Sequence, residues 1–242
     1  MYKRQDLYLE IPGHGQDRLN AAYGYGGADL LVSTIEQNFS LPLEGYAHVN
    51  FSAFENVIDL LGGIEIELGK TEANYLNTTN YISNVSERHV TAGVNLLTGN
   101  QALGYCRVRK VATLGGENND FGRTLRHRRV MTAIFEKYKE KNPIELLSIM
   151  NECLGYVTTD LSAEQITEIM DSVIEDQIFT LENDHIPQAN MYSDYYTPRG
   201  EAVLLPDLAA NTEFLHDFIY NEPETALAVD NQSEEFDTLS EQ

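Results

Sequence analysis

Basic residues are scarce in this 242-residue chain: 16 Lys and Arg face 38 Asp and Glu, a formal charge of −22. A surplus of that sign repels phosphate backbones and anionic lipid surfaces, which excludes general nucleic-acid or membrane-surface binding. Cysteine is scarce too. Cys106 and Cys153 are the only two, far apart and in no CxxC or Cys/His spacing, so neither a disulfide nor a cysteine metal site is supported. No apolar run approaches the ~18 residues of a membrane-spanning helix. The patterns GxxxxGK[ST], GxSxG and HExxH are also missing, which removes ordinary NTPase, serine hydrolase and zinc peptidase readings. What is present, 42% apolar residues and 14 tyrosines, suffices for one good-sized core.

The few cations are unevenly placed. Seven of the 16 fall between Tyr105 and Arg129, in YCRVRKVATLGGENNDFGRTLRHRR. Arg107 and Arg109 stand two apart, so on an extended strand both point to one face. Asp120 precedes FGRTLRHRR, where an N-cap residue would start a helix. Arginines at a strand end, aimed at a helix N-terminus, suit a phosphate or pyrophosphate: guanidinium forks match its oxygens, and the helix adds free N–H groups and its positive dipole end. The competing reading is a solvated basic helix face. At ~100° per residue the helix stripe Val130, Met131, Ile134, Phe135 and Tyr138 projects back through His127 and Arg123. That turns Arg123 inward, where an unpaired charge is costly. Arg128 and Arg129 fall on the solvated side, and Arg126 sits at the edge of the stripe. Cys106, alternating with Arg107, should face the core.

Strand and helix patterns interleave along the chain, which indicates an α/β fold with helices on both faces of a sheet. Strands are expected at Asp6–Ile11, Tyr46–Phe51, Gly63–Leu68 and the YCRVR segment, with a candidate edge strand at Gln177–Leu181. Helices are expected at Ala28–Phe39, Phe51–Leu61, Thr98–Gly104, Asp120–Lys141, Pro143–Cys153, Ala163–Asp176 and Asp207–Tyr220. Lys70–Gly93 is polar and reads as a long excursion or flap. Gly24, Gly26 and Gly27 read as a turn. The tyrosines of Tyr192–Tyr196 read as surface packing, though such rings can also stack on sugars. Residues 1–220 are expected to form one domain; Asn221–Gln242, with seven acids and no base, reads as a disordered tail. The six histidines are scattered and read as structural, with His127 set apart by its phase.

The segments DLYLEIPG, DRLNAAYGYGG, GIEIEL and LLTGNQALGYCRVR…NDFGRTLRHRRV resemble the LytR-CpsA-Psr family over residues 6 to about 138. Leu205–Tyr220 resembles its closing segment more loosely. The resemblance implies a mixed central sheet in a three-layer α/β/α arrangement. It also implies a cell-envelope phosphotransferase that moves a glycopolymer, of wall teichoic acid or capsule type, from a polyprenyl-pyrophosphate carrier to peptidoglycan. The cofactor it implies is Mg²⁺ (or Mn²⁺). Carried over by position, Arg107, Arg109, Asp120 and Arg123 become the catalytic set, Arg18, Arg126 and Gln101 contact substrate, and Asp6 is a metal-ligand candidate. The lipid tail would lie in an apolar tunnel beside the arginines, walled by Ala28–Phe39, Phe51–Leu61 and Val130–Tyr138. The family acts at the extracellular face of the membrane through a single-pass anchor. Here MYKRQ departs from its pattern, with Gln5 where the family has arginine, so residues 1–5 are expected to be non-native and the first strand and anchor missing. Two alternatives stay open: a polyprenyl-pyrophosphate hydrolase and a non-catalytic envelope-binding module.

Overall fold

The structure, a computed structural model, describes residues 6–175 and 180–220. Strands β1 (Tyr8–Ile11) and β2 (Gly15–Arg18) form a tight hairpin that leads into helix α1 (Leu19–Phe39). Helix α1 starts nine residues before the expected Ala28, and the expected turn survives as a kink, with Gly27 at φ 69°. That left-handed backbone is open to glycine at little cost. Strand β3 (Ala47–Val49), helix α2 (Phe51–Leu60), strand β4 (Ile64–Leu68) and helix α3 (Lys70–Thr78) follow. Strand β5 (Gly93–Leu97) then precedes helices α4 (Gly99–Arg107), α5 (Asn119–Lys139) and α6 (Pro143–Leu154). The order closes with β6 (Val157–Thr159), α7 (Ala163–Glu175), β7 (Tyr192–Tyr196), β8 (Ala202–Pro206) and α8 (Leu208–Tyr220).

The class is α/β, as the alternating patterns indicate. Among the described residues the ladders are antiparallel pairs, β1–β2, β3–β6, β4–β5 and β7–β8, with a parallel bridge from Leu7 to Leu204 linking the first and last. The larger core gathers Ile58, Ile64, Ile66, Leu68, Leu76, Leu97, Tyr105 and Val130 between the β4–β5 ladder and helices α2 to α5. A second core joins Leu7, Leu9, Phe39, Leu41 and Leu204. No helix of the described residues is long and apolar enough to cross a membrane. The expectations for residues 1–5 and 221–242, and most of Gln177–Leu181, lie outside the described residues.

Three expectations are corrected. The 70–93 stretch is no flap: α3 buries Ala73 and Leu76, Ile82 and Val90 follow them into the core, and β5 begins at Gly93. Its polar residues misled because they serve the backbone; Asn77, for example, bonds both the N–H and the C=O of Val90. The YCRVR segment is not a strand. A reciprocal capping box between Thr98 and Gln101 starts a helix that runs to Arg107, and only then does Val108 extend (φ −64°, ψ 133°). Every residue from Gly99 to Cys106 except Asn100 is buried, so no one-sided stripe announced the helix. Finally, the buried stripe of α5 is Gly122, Arg126, Val130 and Ala133, whereas Met131 is 56% exposed. The helix is turned by about one residue from the expected phase.

Candidate functional site

A cavity of about 720 Å³ opens where the end of α4, the loop after it and the first turns of α5 meet. Its lining includes Arg107, Arg109, Lys110 and Arg123, with Phe51, Tyr81 and Cys106 as the apolar part, and no acidic side chain. Arg107 ends α4 and Arg109 follows one extended residue later, so the two reach the same space although neither is on a strand. The Arg107 guanidinium lies 5.2 Å from the centre of the Phe51 ring and 6.0 Å from that of Tyr81, which steadies an otherwise exposed side chain by cation–π attraction.

Asp120 organises the other two. It lies in the first turn of α5, with Asn118 as the N-cap, and is 1% exposed. Its Oδ1 is 2.9 Å from Arg123 Nη2 and 3.4 Å from Arg109 Nε. One buried carboxylate thus anchors two guanidiniums that line the cavity. Gly122 lets the Glu117 carbonyl pack against the start of α5, since a Cβ there would stand 2.7 Å from Glu117 O. The segment from Thr113 to Glu117 is itself fixed, with Thr113 N–H donating to Glu117 O at 2.7 Å.

Two nominated substrate contacts are corrected. Arg126 is fully buried: its Nε donates to Glu72 Oε1 at 2.9 Å, and Nη1 and Nη2 donate to the carbonyls of Val108 and Val111. Those carbonyls bracket Arg109, so Arg126 shapes the loop and cannot reach a ligand. Gln101 is 4% exposed, and its side chain is consumed by the N–H of Thr98 and the carbonyl of Glu87. Arg18 does not line the cavity. It spans the buried Asp6, at 3.9 Å, and Glu201, at 3.2 Å. Arg128, expected in solvent, is half-buried with Nη1 3.4 Å from His185 Nδ1. It lines a separate cavity of mixed charge with Arg129, Glu65, Glu67 and Glu136.

Sequence reasoning missed Tyr81, Lys110 and Asn119 as lining residues, whereas Phe51 lies in a helix it nominated as a wall. Asn119 adopts a left-handed backbone (φ 52°), which Asn tolerates better than most residues, and no sequence signal points to its role. His127 lines the cavity with Nε2 3.0 Å from Cys106 O, so that nitrogen carries the proton and donates it. Burial of that edge, helped by the Arg109 charge and opposed by the bond to Cys106, holds the imidazole below its ordinary range. Burial pushes the Cys106 thiol up to about 12, so it is an unreactive apolar wall. The expected aliphatic tunnel walls do not line this cavity: α2 contributes Phe51, and α5 contributes Asn119, Arg123 and His127 in place of Val130–Tyr138.

Among the described residues no group of three or more His, Cys, Asp or Glu is placed to hold a metal. A magnesium ion commonly takes only one or two protein carboxylates together with substrate phosphates and water. Asp120 fits that pattern in part, because its buried Oδ2 has no hydrogen-bond partner.

The model of the LytR_cpsA_psr family matches residues 4–204. A polyisoprenyl-teichoic acid–peptidoglycan teichoic acid transferase TagU of Bacillus mycoides is 37% identical over 134 residues, 55% of this chain and 39% of that protein. The TagU of Enterococcus faecalis is 31% identical over 167 residues, 68% of this chain and 50% of that protein. The chain therefore spans half or less of the length of these relatives. Among solved structures, B. subtilis TagV is similar with a TM-score of 0.64 at 23% identity, covering 90% of this chain and 82% of that one. TagT with bound octaprenyl pyrophosphate lipid gives a TM-score of 0.58 at 23% identity, covering 88% and 75%. These likenesses establish the shared fold.

Proposed function

The chain belongs to the LytR_cpsA_psr family, and from that premise we propose that it is a phosphotransferase moving a glycopolymer from a polyprenyl-pyrophosphate carrier to peptidoglycan. The observation that carries this reading is the cavity in which Arg107, Arg109, Lys110 and Arg123 converge, two of them held by the buried Asp120. A pyrophosphate is the small, dense anion such a cavity suits, and Phe51 and Tyr81 offer apolar contact at its side. The teichoic acid transferase activity for which the TagU relatives are named and the octaprenyl pyrophosphate bound to TagT support the same substrate class.

In this reaction an acceptor hydroxyl attacks the phosphorus next to the glycan. A new P–O bond forms as the bridging P–O bond breaks, polyprenyl phosphate leaves with the electron pair, and the hydroxyl proton is released. Charge builds on the phosphoryl oxygens and the departing phosphate. Preorganised guanidiniums meet that charge without reorganising, which is where most of the catalysis of such a step resides. Arg109 and Arg123 are already oriented by Asp120, and Arg107 by Phe51. A bound Mg²⁺ or Mn²⁺ would supply further neutralisation of phosphate oxygens; Asp120 is the carboxylate best placed to hold it, with Asp6 the second candidate. The reaction belongs to the extracellular face of the membrane, where both lipid carrier and peptidoglycan are met.

The test is incubation of this chain with a fluorescent polyprenyl-pyrophosphate-linked glycopolymer and peptidoglycan, with and without Mg²⁺. Label covalently attached to peptidoglycan, lost on chelation, is the expected result. Release of label only to water would make it a hydrolase, and tight binding without turnover a binding module.

A further inference from the structure

A second concave site lies away from the arginines, where the β1–β2 hairpin meets the turn between β7 and β8. It encloses about 210 Å³ and is lined by Tyr8, Gln16, Asp17, Thr197, Arg199 and Glu201, with Pro198 completing the turn. Tyr8 is the aromatic group of its lining, and two aromatic pairs adjoin it through Tyr8 and Asp17. Tyr8 packs on Tyr195 with ring centres 5.8 Å apart, and Tyr25 stacks on His14 at 4.7 Å and 10°. The Tyr25 hydroxyl donates to Asp17 Oδ2 at 2.6 Å, which ties the second aromatic pair to the lining.

The site is preformed. Thr197 N–H donates to Glu201 O, Glu201 N–H to Thr197 Oγ1, and Gly200 N–H to Thr197 O, so the turn is braced from within. Arg18 donates to Glu201 at 3.2 Å. Burial alone would raise the Asp17 carboxyl; the Tyr25 hydroxyl, the Arg18 N–H and the charges of Arg18 and Arg199 outweigh it and keep the group ionised. The lining thus carries two carboxylates and the guanidinium of Arg199, with Glu201 also paired to Arg18, so it has no net positive charge. That balance disfavours an anion, the opposite of the arginine cavity.

Hydrogen-bonding groups of both polarities, set beside the Tyr8 ring in a small cleft without net positive charge, are what a pyranose ring requires. Its C–H face packs on an aromatic ring, while its hydroxyls need donors and acceptors together. We propose that this cleft is a subsite for one neutral saccharide ring of a glycan that takes part in the transfer reaction. The proposal rests on the phosphotransferase reading and adds to it the place where sugar is held apart from pyrophosphate.

The test uses nuclear magnetic resonance titration of this chain with a short, neutral N-acetylglucosamine oligomer and, separately, with inorganic pyrophosphate. The oligomer should shift resonances of Tyr8, Asp17 and Arg199, and pyrophosphate those of Arg109 and Arg123. Asp17→Asn and Arg199→Ala should each weaken the oligomer about tenfold, the loss of one good hydrogen-bonding partner, and leave the pyrophosphate affinity unchanged. A disaccharide 1-pyrophosphate then distinguishes the source: competition with the oligomer assigns the cleft to the donor's sugar, and simultaneous binding to the acceptor's. An oligomer that leaves the cleft resonances unmoved, or binds both variants as well as the parent, overturns the proposal even where pyrophosphate binds. Failure of pyrophosphate to bind would instead overturn the reading of the arginine cavity.

Discussion

Asp120 shows how much one side chain can decide. Buried alone, a carboxylate would be costly; beside Arg109 and Arg123 it is compensated, and it fixes both guanidiniums before any ligand arrives. Arg109→Ala or Arg123→Ala should therefore lower transfer by roughly 10²- to 10³-fold, the effect of losing one preorganised charge partner. Arg128→Ala, in the mixed-charge cavity, should leave transfer within about twofold; equal loss in all three variants would show that charge number and not placement matters. His127 adds a pH dependence. Its folded pKa lies below the ordinary 6.5, so the unfolded chain takes up a proton that the folded chain resists, and stability falls as pH drops through that value. Urea denaturation of the parent and His127→Gln on either side of pH 6.5 should show a smaller acid loss in the variant. At this scale the sequence was legible in where side chains converge: Arg107, Arg109 and Arg123, singled out as cations that an acidic chain gathers, line one cavity. Arg126 could not be separated from them, because its partner Glu72 is 54 residues away and only tertiary structure reveals the pair.

At the level of elements, the cavity depends on a strut that touches no ligand. Arg126 reaches from the middle of α5 to the carbonyls on both sides of Arg109, and Glu72, from the first turn of α3, accepts from Arg126 and from the N–H groups of Gly69 and Leu114. Three elements and one loop are joined through two buried, oppositely charged side chains. Glu72→Ala leaves the Arg126 charge uncompensated and should destabilise the chain by about 3–5 kcal/mol in urea denaturation. Glu72→Gln, which retains acceptors without the charge, should lose less, and an unchanged midpoint in Glu72→Ala would refute the strut. Elements were legible where burial was one-sided: GIEIEL alternates buried and exposed through all five residues of β4. They were illegible where an element is buried on most sides, as in α4, whose nearly complete burial let Arg107 and Arg109 pass for strand neighbours. They were also illegible where polar residues are spent on capping and backbone bonds, as in α3. The rotation of α5 has the same origin, since a buried arginine in the stripe reads as surface until its partner is known.

Across the whole molecule the arginine cavity is a local positive field in a chain of net charge −22. Two consequences oppose one another and can be separated. Self-repulsion of the acidic surface weakens the ligand-free fold, so raising ionic strength from low salt to ~0.15 M, where the Debye length falls to ~8 Å, should raise Tm for the parent and for Arg123→Ala alike. Specific occupancy of the cavity acts differently. A ligand that binds only the folded state stabilises it by RT ln(1 + [L]/Kd), about 2.7 kcal/mol at 100 times Kd. Pyrophosphate at fixed ionic strength should then raise the parent's Tm beyond what sodium chloride of equal ionic strength achieves. In Arg123→Ala that excess should shrink to nearly nothing, because the loss of one cation also releases Asp120 to repel the ligand. An excess of equal size in both proteins would mean that pyrophosphate acts as a general salt, and the cavity between α4 and α5 would lose its claim to the anion.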